Sequence, residues 1–279
     1  MKMKEYKTEE EFLKDYNVKD FDQLSMTSDI LIVSVSSKDS NNYRKTDEKL
    51  MSILLIKRDD YPYKGKWCLP GGFLNPNNET LEECAKRVLK NETNLSDIYL
   101  EQLSTFDKID RDPRTRVIST AFVALVDKNK LTEKVENGSW FNIIKYEEKN
   151  NIVNIVLSNN DEVLEFTINK KLREKTTDRY DLISKENKDL AFDHDLVILS
   201  GLERIRNKLN YTDIVFNMMP EYFTLGELQK VYETILGKKL IEAPFRRVIA
   251  SKVEKTKKMR TGGGHRPSYL FKYKEKRTN

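Results

Sequence analysis

Apolar residues in the first two thirds of the chain come in short runs rich in β-branched side chains. Residues 29–36 (DILIVSVS) and 51–57 (MSILLIK) predict two strands, separated by a polar insertion, SKDSNNYRKTDEK, that predicts a loop. Further strands are predicted at about 98–106 (IYLEQLSTF) and 116–126 (RVISTAFVALV). A hairpin is predicted in NIVNIVLSNNDEVLEFTIN, where Ser158–Asp161 supplies the turn chemistry. One helical pattern interrupts the strands, at about 79–93, with Leu81, Ala85, Val88 and Leu89 on one side. The stretch 169–193 is charged and poor in aliphatics, and reads as a linker or irregular connection. No internal repeat is present.

Beyond residue 190 the period changes to that of helices. In DHDLVILSGLERIRNKLN, Ile198, Leu202, Ile205 and Leu209 share a face, with Asp193 placed as the N-cap. In FTLGELQKVYETILGKKL, Thr224 and Glu227 form a capping box, Phe223 can staple onto Leu228, and Gly237 ends the helix. Leu228, Val231, Tyr232 and Ile235 then face the core. A short turn leads to APFRRVIASKV, where Pro244 is expected at the first helical position. Burying Phe245, Val248 and Ile249 would leave Arg246, Arg247 and Ala250 facing outward. Two short helices joined by a tight turn, the second basic on its free face, predict a helix-turn-helix. The segment VEKTKKMRTGGGHRPSYLFKYK follows, with strand alternation at Ser268–Tyr273 and a glycine-rich tip, and predicts the wing of a winged helix. The three glycines lack the strand-then-helix context of a phosphate cradle.

Length and charge sharpen this division. The 279 residues are enough for two cores, and the domains are expected at 1–190 and 191–279. Residues 195–279 hold 18 Lys and Arg against 9 Asp and Glu, whereas 1–194 hold 32 against 36. Within 244–274 there are ten Lys or Arg and one acid, Glu254. Such asymmetry points to a nucleic-acid-facing module joined to a neutral or acidic one. Candidate DNA contacts are Arg246, Arg247, Lys257, Lys258, Arg260, His265 and Arg266; a basic tail and solvated hairpin that only solubilise the chain are the alternative. Cys68 and Cys84 form no CxxC and there are two histidines, which argues against a disulfide scaffold or a structural zinc site. No apolar run approaches the roughly 20 residues of a membrane span. With no signal peptide in MKMKEYKTEEEFLKDY, the expected compartment is the cytoplasm.

Residues 65–95, GKWCLPGGFLNPNNETLEECAKRVLKNETNL, carry the candidate chemistry. They resemble the Nudix box, whose usual form is G-x5-E-x7-R-E-U-x-E-E-x-G-U, with U aliphatic. Counting from Glu79, Arg87 falls at the box arginine, Glu92 at its last glutamate and Leu95 at its final aliphatic position. Val88 and Asn91 stand where two glutamates belong, Asn94 replaces the glycine, and one extra residue separates Gly72 from Glu79. Diphosphate hydrolysis needs divalent metal, and Mg²⁺ needs several hard oxygen ligands. Positions 88, 91 and 92 share one helix face, so this patch keeps Glu92 alone as a weak metal ligand. Glu83, nine residues earlier, falls on about the opposite side of the helix. Glu79, Arg87 and Glu92 are thus the remnant of a catalytic box, and Glu79, Glu82 and Glu83 also suit a solvated first helical turn.

A cationic loop, DKIDRDPRTRV, holds Arg111, Arg114 and Arg116 among Asp110, Asp112 and Pro113. Guanidinium groups suit bidentate phosphate contacts, and self-paired Asp/Arg bridges are the alternative. The pattern EQLSTF, DRDPR, RVIS resembles the ADP-ribose-directed branch of the Nudix superfamily, which implies a diphosphate ligand. Arg58, Lys66, Gly71 and Gly72 complete the candidate ligand contacts.

Together, LPGGF, DRDPR, AFDH and FTLGELQKVYETILGKKL, FRR, GHRP resemble the NrtR family, the Nudix-related transcriptional regulators, over about residues 25–275. The resemblance implies a Nudix-like α/β/α sandwich, of mixed α/β and α+β class, followed by a winged helix-turn-helix domain. It also implies a homodimer that binds double-stranded DNA and is released by ADP-ribose or a related nucleotide sugar or phosphate. The expected function is therefore a ligand-responsive DNA-binding regulator that requires no cofactor. The alternative is a Mg²⁺-dependent ADP-ribose or dinucleotide pyrophosphatase, and a third reading uses the winged helix on RNA.

Overall fold

The computed structural model describes residues 8–37, 49–128, 135–174, 179–260 and 267–274. The apolar run near the start forms β1 (Ser25–Ser37), buried without interruption from Ser28 to Val35. A strand with no polar alternation must be covered on both faces. Ile30 and Ile32 face one helix layer while Leu31, Val33 and Val35 face the other.

The remaining strands are β2 (Lys49–Lys57), β3 (Trp67–Cys68), β4 (Gly71–Phe73), β5 (Tyr99–Phe106), β6 (Val117–Leu125), β7 (Gly138–Lys149), β8 (Ile152–Ser158), β9 (Val163–Glu174) and β10 (Arg179–Asn187). They form one mixed sheet in the order β10-β9-β8-β7-β2-β1-β6-β5, with β3 on β2 and β4 on β1. β1 pairs in parallel with β6, Ile30 opposite Phe122, and antiparallel with β2. A short helix, α1 (Glu9–Asp15), precedes the sheet; Thr8 caps it and it buries no residue.

Helix α2 (Leu81–Thr93) covers one face, packing Ala85, Val88 and Leu89 against Ile30, Ile32, Leu54 and Phe122. Burying each such aliphatic side chain contributes about 1.5–3 kcal/mol. Its start is set by a Thr80–Glu83 capping box, and its end by Asn94, which takes the left-handed conformation at φ 54° in place of the box glycine. Helix α3 (His194–Lys208) covers the opposite face through Val197, Ile198, Leu202 and Ile205. Gly201 permits this close approach, because a Cβ there would lie 2.2 Å from Leu31 Cδ2. The result is the expected α/β/α sandwich.

The C-terminal part consists of α4 (Leu225–Leu236), α5 (Glu242–Ile249), β11 (Val253–Arg260) and β12 (Ser268–Tyr273). Thr224 and Glu227 form the expected capping box, and Gly237 ends α4 at φ 67°. β11 and β12 pair antiparallel, and Phe223 and Phe271 exchange backbone hydrogen bonds of 3.0 and 2.8 Å, tying the wing to the start of α4. The apolar core runs without a break from the sheet through α3 to Leu228, Val231, Ile235, Phe245 and Ile249. Polar contacts cross the same junction: Thr234 Oγ1 donates to the Lys49 carbonyl at 2.9 Å, and Arg206 Nε to the Ile235 carbonyl at 3.2 Å.

Three expectations are corrected, and one strand was not foreseen. The stretch 169–193 is not a linker: it completes β9 and forms β10, whose charged residues suit an edge strand with one solvated face. β7 was not foreseen, because its IIKYEEK half alternates weakly. Pro244 is the third residue of α5, where its missing N–H is still one that the first turn leaves unpaired. Val248 is 63% exposed, so only Phe245 and Ile249 anchor α5. Among the described residues no helix is long and apolar enough to cross a membrane.

Candidate functional site

The turn between β3 and β4, LPGG, brings the chain back over the C-terminal end of α2. Together with the loop between β5 and β6 and the entry to α3, it encloses a cleft of about 320 Å³. Arg58, Gly71, Gly72, Glu92, Arg111 and Arg114 all line it. Lys66 and Arg116, also expected to contact ligand, do not. The Lys66 ammonium lies 5.7 Å from the Tyr63 ring centre, and Arg116 Nη1 donates to the Asp107 carbonyl at 2.7 Å.

The floor of the cleft is an internal ion-pair network. Arg111, 5% exposed, donates from Nη2 and Nε to the Asp193 carboxylate at 2.7 and 3.1 Å, and from Nη2 to Asp29 Oδ2 at 3.3 Å. Ser119 Oγ donates to the same Asp29 oxygen at 2.5 Å, and His194 Nε2 lies 3.7 Å from it. His194 Nδ1 accepts from the Leu69 N–H at 2.9 Å, so the LPGG turn is itself fastened to α3. Burial alone would raise the Asp29 carboxyl, but His194, Arg111 and Ser119 outweigh it and hold Asp29 at about 2. Asp193 occupies the expected N-cap position, yet its carboxylate makes no cap hydrogen bond and is given over to Arg111. Gly71 is required here: a Cβ would meet Asp29 Oδ1 at 2.2 Å. Arg111, expected as a ligand contact, lines the cleft while its Nε and Nη2 serve two buried carboxylates.

Arg114 sits differently. Its guanidinium pairs with Asp112 at 2.8 and 3.0 Å but is substantially exposed, and it lies 5.4 Å from the Phe73 ring centre. Across the cleft Arg58 stacks at 5.0 Å on Phe192, whose ring also meets Tyr63 edge-on. The cleft thus carries two guanidinium-on-ring pairs, suited to an anionic ligand with planar groups. Cys68 also lines it, with a thiol that burial pushes up to about 11 and keeps unreactive.

The Nudix fold implies a divalent metal in hydrolases, and the residues present do not fit one. Val88 is buried against the sheet, Asn91 offers an exposed amide, and of the box helix only Glu92 lines the cleft. Burial, with Glu136 nearby, raises the Glu92 carboxyl above its ordinary range. Glu79 is engaged by Arg87 through hydrogen bonds of 2.6 and 2.9 Å, and Arg87 also donates to the Phe73 carbonyl at 3.0 Å. Arg87 thus ties β4 to α2 through the Phe73 carbonyl, and its bonds to Glu79 hold that carboxyl down at about 2. Among the described residues no group of three or more His, Cys, Asp or Glu side chains is placed to hold a metal ion.

The second surface lies on the C-terminal part. Arg247, Lys257 and Lys258 are exposed, the last with its ammonium 3.5 Å from the Tyr222 ring centre. Arg246 pairs with Glu242 one turn earlier, and Arg260 pairs with the capping-box residue Glu227, which braces the wing against α4. His265 and Arg266 lie outside the described residues. Sequence reasoning missed Asp29, Ser119, Phe192 and His194. Asp29 left a signal as a carboxylate opening an otherwise apolar run, and Phe192 and His194 lie in the AFDH motif, whose place in the site only the fold supplies.

Two family models match the chain: the NUDIX domain over residues 43–157 and the NrtR DNA-binding winged helix domain over residues 215–273. The chain is 29% identical to an ADPR-responsive transcriptional repressor of Acinetobacter baylyi over 96% of its own length and 89% of that protein. It is 46% identical over 76 residues to an ADP-ribose pyrophosphatase of Methanocaldococcus jannaschii, covering 27% of this chain and 44% of the archaeal one. A MutT/nudix family protein from Enterococcus faecalis superposes with a TM-score of 0.68 at 25% identity, covering 96% of this chain and 94% of that one. NrtR of Shewanella oneidensis, in a crystal with a 27mer DNA, superposes at 0.63 and 25% identity, covering 89% and 93%. With a Nudix domain and an NrtR winged helix domain on one chain, this protein belongs to the NrtR family of Nudix-related transcriptional regulators.

Proposed function

We propose that this protein is a DNA-binding transcriptional regulator whose affinity for its operator is set by ADP-ribose or a related nucleotide sugar or phosphate bound in the cleft. The observation that carries this reading is that α2 presents one carboxylate, Glu92, to a cleft flanked by arginine-on-ring pairs. Such a site suits retention of a diphosphate better than its cleavage. The Acinetobacter repressor, similar along nearly the whole chain, supports the choice of ligand. The sensing part is taken as 1–190 and the DNA-binding part as 191–279, with α3 as the element they share. The working unit is a homodimer in the cytoplasm, and no metal is required.

Coupling runs through α3. Its first residues, Asp193 and His194, belong to the cleft floor, and its last turn reaches α4 through Arg206. A ligand that shifts the LPGG turn or Phe192 moves the start of α3, and the spacing of two winged helices on a duplex tolerates little change. Linkage then requires DNA to weaken the ligand by the same factor.

A mobility-shift assay with the chain's own upstream DNA, titrated with ADP-ribose, tests the reading. The DNA should be bound without ligand and released with it, and failure to bind any duplex at low salt would refute the proposal. Hydrolysis is the second reading, favoured by the local identity to the archaeal pyrophosphatase. It would be established by Mg²⁺-dependent turnover of ADP-ribose that Glu92→Gln abolishes.

A further inference from the structure

Helix α5 buries two residues, Phe245 and Ile249, and both lie on one side. At roughly 100° per residue, Arg247 points directly away from that side. The exposed residues around it, Ala243, Ala250 and Ser251, are all short. Arg246 lies to one flank, paired with Glu242. On the other flank Ile241, Pro244 and Val248 fall at i, i+3 and i+7 and form an apolar stripe along the outer edge of the helix. Ile241 is 77% and Val248 63% exposed.

A single exposed valine needs no explanation, but an aligned stripe beside an unobstructed arginine does. In the major groove, guanine presents two acceptors to a guanidinium, while thymine presents a methyl group that apolar side chains contact. The exposed basic residues of the same C-terminal part, Arg247 on the helix with Lys257 and Lys258 on β11, match the charge of a duplex rather than of an apolar protein surface.

Building on the function proposed above, we infer that α5 reads DNA with two kinds of side chain: Arg247 selects guanine, and the Ile241–Pro244–Val248 stripe, through Val248, packs on thymine methyl groups. The short neighbours let the helix approach the base edges closely enough for Val248 to reach a methyl. Arg246, held by Glu242, stays at the margin of the groove.

The test uses the full-length chain. Duplexes are selected from a randomised pool, and the best binder is remade with uracil in place of each thymine in turn, which removes the methyl and nothing else. At one or more positions the wild type should lose about fourfold in affinity, the loss expected for one methyl-sized group buried. Val248→Ala should bind the thymine and uracil duplexes equally, while Arg247→Ala should lose the guanine preference and keep the thymine–uracil difference. Equal binding of both duplexes by the wild type overturns the inference while leaving the regulator reading intact. So does a Val248→Ala variant that changes self-association in sedimentation but not base preference, because the stripe is then a contact between copies. Absence of any bound duplex removes the regulator reading itself.

Discussion

Arg111 and Asp193 form a two-point ion pair, at 2.7 and 3.1 Å, across 82 positions of sequence. One partner sits in the loop between β5 and β6, and the other occupies the N-cap position of α3. A buried pair of this kind adds little relative to apolar packing, but removing one partner strands the other charge. Here Arg111→Ala would strand Asp193 and leave Asp29 with Ser119 and His194 alone. The expected outcome is a loss of about 3–5 kcal/mol in urea unfolding. A variant as stable as the wild type would show that the pair does not hold the cleft together.

Arg114 should behave in the opposite way. The Arg114 guanidinium is substantially exposed while its partner Asp112 is buried, and without the guanidinium Asp112 still accepts from the backbone N–H of residue 114 at 3.0 Å. Arg114→Ala should therefore lose less stability than Arg111→Ala while binding ADP-ribose about 10- to 100-fold more weakly by calorimetry. Unchanged affinity would move the diphosphate away from this side of the cleft.

Magnesium-dependent hydrolysis of ADP-ribose should be absent, or orders of magnitude below that of an enzyme with all the box glutamates. Restoring Val88→Glu together with Asn91→Glu supplies carboxylates, but Val88 is buried and its Cγ2 lies 3.0 Å from where a Gly72 Cβ would stand. The double variant should thus be less stable than the wild type, by an amount set by burying a charge. Robust turnover by the unmodified chain would contradict the account of the cleft.

On the DNA side, Lys257→Ala and Lys258→Ala should weaken binding to all sequences alike and reduce the salt dependence by about one counterion each. Arg247→Ala should cost more specific affinity than Arg246→Ala, since Arg246 is already engaged by Glu242. Competition assays with specific and random duplexes separate the two effects.

Asp29 sets an acid limit. Its carboxyl lies at about 2 in the folded chain against an ordinary 3.8, because His194, Arg111 and Ser119 outweigh the burial that would raise it. The folded state binds fewer protons at this site, so the contribution, on the order of 2 kcal/mol, is fully present above about pH 4 and is lost as pH falls toward 2. Asp29→Asn should flatten the stability profile across that window in unfolding titrations. An unchanged slope would mean another carboxylate dominates there.

Local and periodic features were legible in the chain itself. The strand β1, the core positions Ile198, Leu202 and Ile205 of α3, the capping box of α4 and its Gly237 end follow from patterns within about ten residues, because caps and apolar periods act at short range. The loss of the box glutamates at Val88 and Asn91 was likewise readable, since one helix turn brings those positions together. Tertiary structure decided what depends on distant partners. Asp193 holds an N-cap position yet gives its carboxylate to Arg111, which Asp29 and Asp193 together fix in the floor of the cleft. β10 became an edge strand because β9 offered it a ladder, although its own residues are mostly polar. Val248 was apolar and correctly spaced for the core, but among the described residues it is 63% exposed. Sequence carries the period of an element; only the fold determines which of its faces meets another.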